Sequence, residues 1–300
     1  MKKHKSGFVS ILGRPNAGKS TLLNTLLGTK VSIVSNLPQT TRTSIQGVLT
    51  LPDAQIVFVD TPGIHKSDTL LNRRMMDSVR ASASADVVLL LVDALKPFRA
   101  EDAQAVDLVK KIEAPAIAVF NKVDRLEDKP KILALIDQYR ALLEFAAYVP
   151  ISALKNEGLD ILQNEILERL PESPALYPED HLTDQPERFL IAELVREKIL
   201  HHTRQEVPHA VAVMIDEWED VGDLLRIAAT IYVERAGQKA ILIGAGGSLL
   251  KKIGTLARED IEAQTGKKVF LKTFVKVRPN WREDPEFLAA TDWRAILGGE

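Results

Sequence analysis

The chain has 300 residues, 45% of them hydrophobic and 27% charged, with a formal net charge of −2. That is about two domains of ordinary globular composition, and it excludes a polycation that would coat nucleic acid along its whole length. No cysteine is present, so disulfides and thiolate zinc sites are excluded.

The basic start "MKKHK" is followed by no apolar stretch of signal-peptide type. The longest apolar run, "VVLLLV" (87–92), is far short of a membrane span. A cytoplasmic protein is expected, with peripheral contact at the cytoplasmic face of the membrane left open.

In chain order, β-rich runs fall at 7–12, 45–50, 55–60, 86–93, 115–120 and 146–152. Helical patterns fall between most of them, at 18–28, 69–83, 101–113, 130–144 and 157–170. Nearly unbroken apolar strands alternating with helices predict a mostly parallel, doubly wound α/β sheet over 1–170. The turn "LPDA" between 45–50 and 55–60 predicts one antiparallel hairpin at an edge. "PESPALYPEDHLTDQP" (171–186), with four prolines, reads as a linker. From 187 to 300 the order is α-β-β-α-α-β with a tail, a smaller α+β domain. Its elements are a helix at 187–201, strands at 209–218 and 224–235, helical segments around "IGAGGSLLKKIG" and "TLAREDIEAQTG", and a strand at 268–278.

Gly13 to Ser20 fits G-x-x-x-x-G-K-S between a strand and a helix, the context this phosphate loop requires. Glycine lets the backbone curl, so that amides of Gly13, Asn16, Ala17, Gly18 and Thr21 can face one anion. The helix start adds its positive end. Lys19 adds a full charge, and the Ser20 hydroxyl can ligate Mg²⁺. "DTPG" ends the strand 55–60: Asp60 can hold Mg²⁺ through its water shell, and the Gly63 N–H can sense a γ-phosphate. An ordinary turn would have the same four letters.

"NKVD" (121–124) follows the strand 115–120. Guanine presents two donors on its pairing edge, and the acceptor-only carboxylate of Asp124 can take both. Adenine would present an acceptor there, and such a mismatch is how a site rejects the wrong base. The Lys122 stem can lie over the base, and Asn121 can brace the loop. In "SAL" (Ser152, Ala153, Leu154), the Ala153 N–H could reach the guanine carbonyl. A phosphoryl-transferring P-loop kinase is the rival enzyme class, and it has no need of a guanine-reading carboxylate.

In the second half, "IGAGG" holds G-x-x-G (Gly244, Ala245, Gly246, Gly247) between helical segments. Such a loop lets a sugar–phosphate chain approach the main chain, clamping about four nucleotides in KH domains. From 235 to 282 there are eleven Lys/Arg and three acids, an excess of +8 in a chain of −2. In the last strand Phe270, Lys272, Phe274, Lys276 and Arg278 share one face by the period of two. Val269, Leu271, Val275 and Val277 share the other, assigned to the core. The two phenylalanines are read as covering the sheet or meeting the first domain in preference to stacking on bases.

With "GRPNAGKST", "QTTR", "DTPG", "NKVD" and "SA" in order, then a KH-like half, the chain resembles the GTP-binding proteins of the translation-factor class. Within it, the chain is similar to the Era-type GTPases over nearly its whole length. The single phosphate loop disfavours the double-GTPase relatives, and the missing cysteine disfavours the tRNA-modifying ones. The resemblance implies a P-loop GTPase domain followed by a type II KH domain, GTP/GDP and Mg²⁺ as cofactors, slow intrinsic hydrolysis and a monomer. It implies catalysis through Lys19, Thr41 and Gly63, with the metal at Ser20, Asp60 and Thr41 or its neighbour Thr40. A potassium ion beside Asn16 is a further expectation.

It also implies a single-stranded RNA partner, the 3′ end of the small-subunit ribosomal RNA, and a role in assembling the small ribosomal subunit. The RNA would be held by the G-x-x-G loop with Lys251, Lys252, Lys272 and Lys276. Family members carry lysine where Ala245 stands. A GTPase whose second domain binds a protein or membrane surface remains the alternative. Ile64 occupies the place where Ras-like proteins put a water-orienting glutamine, and an alkyl group cannot do that task.

Overall fold

The computed structural model describes residues 4–37, 40–63, 69–81, 84–128 and 130–293. The chain divides into two compact units, Met1–Ser67 with Arg73–Asp184, and Asp68–Asn72 with Gln185–Glu300.

In the first unit, β1 (Lys5–Gly13), β2 (Ile45–Leu51), β3 (Ala54–Asp60), β4 (Val87–Asp93), β5 (Ala116–Asn121) and β6 (Ala147–Pro150) form one sheet in the order β2-β3-β1-β4-β5-β6. Only β2 is antiparallel to its neighbour. The apolar runs follow from burial on both faces. Val9, Ile11 and Leu89 face α1 (Lys19–Leu27) and α5 (Leu159–Arg169), whose Leu22, Leu23, Leu162 and Ile166 close one core. Leu12, Leu90 and Phe120 face α3 (Ala100–Val109) and α4 (Lys131–Arg140), whose Val106 and Tyr139 close the other. A further helix, α2, runs Leu70–Ala81. The strand order reverses beside β1, and ligands bind outside the carboxyl ends of such strands. "GRPNAGKST", "DTPG" and "NKVD" all begin at those ends.

The proline-rich stretch at 171–184 belongs to the first unit and is stitched to it. The Gln55 side chain accepts from the Leu176 and Tyr177 amides at 2.7 and 2.8 Å and donates to the Tyr177 carbonyl at 2.9 Å. On edge strand β2, the Val48 amide donates to the Leu182 carbonyl, and the Thr183 hydroxyl donates to the Gln46 carbonyl at 2.7 Å. Composition marks this stretch as a linker, but one buried glutamine makes it a strap.

The second unit contains α6 (Glu187–His202), β7 (Ala212–Val221), β8 (Leu224–Val233), α7 (Ala236–Ile243), α8 (Ser248–Thr265) and β9 (Lys268–Val277). Its sheet runs β7-β8-β9, with β7 antiparallel and β9 parallel to β8. Ile191 and Val195 of α6 and Ile253, Ala257 and Ile261 of α8 bury Ile227, Ile231 and Val275.

Two details differ from the sequence expectation. Helix α8 runs straight through Gly254, so the helices divide only at the G-x-x-G loop. An unforeseen helix, α9 (Pro285–Thr291), lies in the tail. The Asp284 side chain caps it by accepting from the Glu286 and Phe287 amides, with Pro285 at the first position. Among the described residues no single helix is long and apolar enough to cross a membrane.

Candidate nucleotide site and glycine loop

The phosphate loop is built by close backbone approach. Gly18 sits at φ +100°, where a Cβ would stand 2.3 Å from Asn121 Nδ2. Asn121 is buried and donates to the Ala17 carbonyl at 2.8 Å. Its Oδ1 accepts from the Lys122 amide at 2.8 Å and the Ala153 amide at 3.0 Å. One side chain thus ties the phosphate loop, "NKVD" and "SAL" together, with Thr25 of α1 donating to the Ala153 carbonyl at 2.9 Å. The Ala153 N–H, expected to face the guanine carbonyl, is used by Asn121 in this structure.

Lys122 is held in the left-handed region at φ +72°. Its ammonium donates to the Asn16 carbonyl at 2.7 Å and pairs with Asp93 at 2.8 Å. That leaves its stem to flank a base. Asp124 is exposed and has no hydrogen-bond partner among the described residues. Ser152 is fully buried and its hydroxyl accepts from the Lys155 amide, while Leu154 is 74% exposed.

The metal candidates converge. The Ser20 hydroxyl donates to Asp60 Oδ2 at 2.7 Å and lies 3.0 Å from the Thr41 hydroxyl, which is 3.4 Å from the same carboxylate oxygen. Ser32 reaches that oxygen at 3.2 Å. Asp60 is fully buried, and its other oxygen, Oδ1, has no hydrogen-bond partner among the described residues. An all-oxygen donor set with an orphaned carboxylate oxygen fits a hard divalent cation such as Mg²⁺.

Burial pushes the Asp60 carboxyl above its ordinary range, opposed by the Lys19 charge and by the Ser20, Ser32 and Thr41 hydroxyls. Burial likewise pushes the Lys19 ammonium down, opposed by Asp60. Lys19 donates to the Gly13 and Arg14 carbonyls at 3.3 and 3.2 Å, placing a cation under the loop. Gly63 packs on Pro15: a Cβ there would stand 2.8 Å from its backbone nitrogen.

The structure separates the two threonines. Thr41 joins Ser20 and Asp60, whereas the Thr40 hydroxyl donates to the Leu37 carbonyl at 2.7 Å. Thr41→Ala is therefore expected to weaken Mg²⁺-dependent turnover by roughly tenfold or more, about 1.4 kcal/mol. Thr40→Ala should change it little. A magnesium titration of hydrolysis checks both, and a larger loss in the Thr40 variant would reverse the assignment.

The cavity between the phosphate loop and residues 33–35 and 40–41 measures about 50 Å³. A groove of about 580 Å³ lined by Lys96, Phe98, Arg125 and Lys131 touches none of these candidate residues. Gln39 of "QTTR" and Ile64 lie outside the described residues.

In the second unit, Gly244 to Gly247 form the tight turn between α7 and α8, with Gly244, Gly246 and Gly247 all at positive φ. Ala245 and Gly246 are exposed. The local charge excess shrinks on inspection. Lys267 pairs with Asp220, Arg278 with Asp284 and Arg282 with Glu234, all acids outside the stretch counted. Lys251, Lys252, Lys268, Lys272 and Lys276 are exposed without an ion pair among the described residues.

Sequence reasoning missed Asp93, Thr25 and Ser32. Asp93 carries the one signal that could have found it, an acid closing an apolar parallel strand as Asp60 does.

A doubly wound sheet with this phosphate loop and this base-reading loop, joined to an α-β-β-α-α-β unit with G-x-x-G, defines a P-loop GTPase carrying a KH domain. The comparisons agree. The family model for 50S ribosome-binding GTPases matches residues 8–122, and that for KH domains matches 206–282. GTPase Era of Ruminiclostridium cellulolyticum is 46% identical over 293 residues, covering 97% of this chain and 98% of that protein. GTPase Era of Lactobacillus delbrueckii subsp. bulgaricus is 47% identical over 288 residues, 95% of each. A crystal structure of Era in complex with MgGDPNP and nucleotides 1506-1542 of 16S ribosomal RNA is 43% identical, with a TM-score of 0.94 and coverage of 97% and 99%. A variant of Aquifex aeolicus Era bound to GDP.AlF4- gives a TM-score of 0.93, also at 43% identity, covering 96% of this chain and 99% of that one. The chain belongs to the Era GTPase family: it is a GTPase with a C-terminal KH domain.

Proposed function

We propose that the chain is a GTP-operated RNA clamp that acts in assembly of the small ribosomal subunit. The observation that carries this reading is the gathering of Ser20, Thr41 and Asp60 at the mouth of the phosphate loop. It makes the position of residues 40–41 depend on what the loop holds. The relative's complex with MgGDPNP and a 16S ribosomal RNA segment supports carrying the reading over to this chain.

Amides of Gly13 to Thr21 and the Lys19 ammonium hold the β- and γ-phosphates, Asp124 chooses guanine, and Lys122 flanks the base. When bound, Mg²⁺ supplies charge that offsets the anionic oxygens. The Gly63 N–H and Thr41 close over the γ-phosphate; water attacks its phosphorus, the bond to the β–γ bridging oxygen breaks, and GDP leaves with inorganic phosphate as the other product. The Gly244–Gly247 loop grips the backbone of single-stranded RNA, with Lys251 and Lys252 replacing the contact that lysine in place of Ala245 would make. The partner is the 3′ end of the small-subunit ribosomal RNA, bound by a monomer.

Filter binding of labelled RNA of that segment, with GTP, GDP or no nucleotide, tests the reading. GTP should give the tightest complex. Equal binding in all three conditions would remove the switch, and none in any would remove the RNA clamp.

Potassium is the finer cofactor proposal. Asn16 stands at φ +64° in the phosphate loop, and its Nδ2 donates to the Asn36 carbonyl at 2.6 Å. That leaves Oδ1 to face a monovalent cation beside the phosphates, where its charge would do an arginine finger's work. Turnover in KCl should exceed that in NaCl, and Asn16→Ala should abolish the difference. Equal rates in the two salts would remove the ion.

A further inference from the structure

The outward face of the three-stranded sheet is only half covered. At one end, Trp281, Phe287 and Leu288 pack on Ala212, Met214 and Tyr232. Beyond that cover the alternation of β9 leaves Phe270 and Phe274 bare, each 50% exposed. Lys272 lies between them with its ammonium 5.6 Å from the Phe270 ring centre, and Lys268 and Lys276 continue the row. On the far side of the same face, β7 offers Glu217 and Glu219. Arg226 lies between, opposite Phe270 and 3.4 Å from Glu219. A groove of about 530 Å³ runs here, with Phe270, Lys272, Arg226, Glu217 and Glu219 in its wall.

We propose that this face is a second RNA-binding surface, separate from the G-x-x-G loop, which stacks two bases on Phe270 and Phe274. The inference rests on the RNA-clamp reading above. Charge fixes the path. Unpaired lysines along β9 attract the sugar–phosphate chain, while the carboxylates of β7 repel it. The backbone therefore follows β9 and the bases point across the sheet. There the rings stack, and Glu217 can accept from a base amino group. Need agrees with geometry. A G-x-x-G loop clamps about four nucleotides, whereas the RNA held by the relative, nucleotides 1506-1542, is several times longer. The longer RNA leaves nucleotides free to reach β9, which belongs to the same small unit as the loop. A protein partner would also favour bare phenylalanines, but it gives no reason for Lys268, Lys272 and Lys276 to alternate with them along the strand.

The test compares Phe270→Ala/Phe274→Ala with wild type by fluorescence anisotropy, on two RNAs. One is a hexanucleotide that fills only the loop, and the other is the full segment 1506–1542. Base–aromatic stacking predicts a loss of roughly 10- to 100-fold on the long RNA, with hexanucleotide and GTP binding unchanged. Lys272→Gln should lower the slope of log affinity against log salt by about 1 on the long RNA. Undiminished affinity of the double variant for the long RNA overturns the proposal and leaves the face to a protein. Equal loss on both RNAs also overturns it, because the effect then lies at the loop. If wild type binds neither RNA, the clamp reading itself has failed.

Discussion

Asp124→Asn should turn the preference of the site from guanine to xanthine nucleotides. In the proposed pose the carboxylate would accept from both N1–H and the 2-amino group of guanine. An asparagine amide keeps one acceptor and gains a donor, which opposes the 2-amino group and suits the 2-carbonyl of xanthine. Losing a charge-assisted bond and leaving a donor unpaired costs about 3 kcal/mol, roughly a hundredfold in GTP affinity. Displacement of a fluorescent guanine nucleotide by GTP and by xanthosine triphosphate reads this directly. A variant that still prefers GTP would show that Asp124 does not read the base.

Asp102→Ala should produce the largest loss of stability. Asp102 is buried in the first turn of α3, and its Oδ2 takes the Arg14 guanidinium at 2.7 Å and the Arg99 amide at 2.9 Å. The Tyr139 hydroxyl of α4 bonds to the same carboxylate, and burial together with that negative charge pushes its ionisation up. One acid thus anchors a phosphate-loop residue to two helices. Removing it leaves a largely buried guanidinium without its counter-charge, a loss of about 3 kcal/mol or more. Arg14 flanks Gly13, so the looser loop should also bind GTP less tightly. Chemical denaturation and calorimetric titration measure the two effects. A change below about 1 kcal/mol in stability would mean that the network is not a structural anchor. Asp102→Asn, which keeps an acceptor for the Arg99 amide, should fall between.

Readability from sequence followed the range of the interactions. The phosphate loop was legible because Gly18, Lys19 and Ser20 are neighbours whose joint chemistry has few other uses. The faces of β9 were legible in part because the period of two is local: Val269 and Val275 are buried as the pattern requires, but Val277, assigned to the core, is 39% exposed at the strand's end. The Arg14–Asp102–Tyr139 network was not, since its members lie far apart in the chain and each alone is an ordinary surface residue type. Gln55 hid the strap in the same way: a glutamine inside a strand gives no sign of three hydrogen bonds to a segment some 120 residues on. Helix α9 was within reach, because Asp284 before Pro285 is a helix-start signal. The metal site fell between these cases. Ser20 and Asp60 come from motifs and Thr41 from the resemblance, while the fold sets Thr41, and not Thr40, beside them.

The stitching of residues 171–184 to Gln46, Val48 and Gln55 also bears on self-association. Strand β2 ends the sheet, and an unguarded terminal strand recruits strands from other molecules into aggregates. The Leu182 carbonyl and the Thr183 hydroxyl occupy two of the hydrogen-bonding groups on that rim. The shortest piece of the GTPase half able to stay dispersed on its own therefore ends near Asp184. Trimming it back to the last helix, α5, would bare a sticky border.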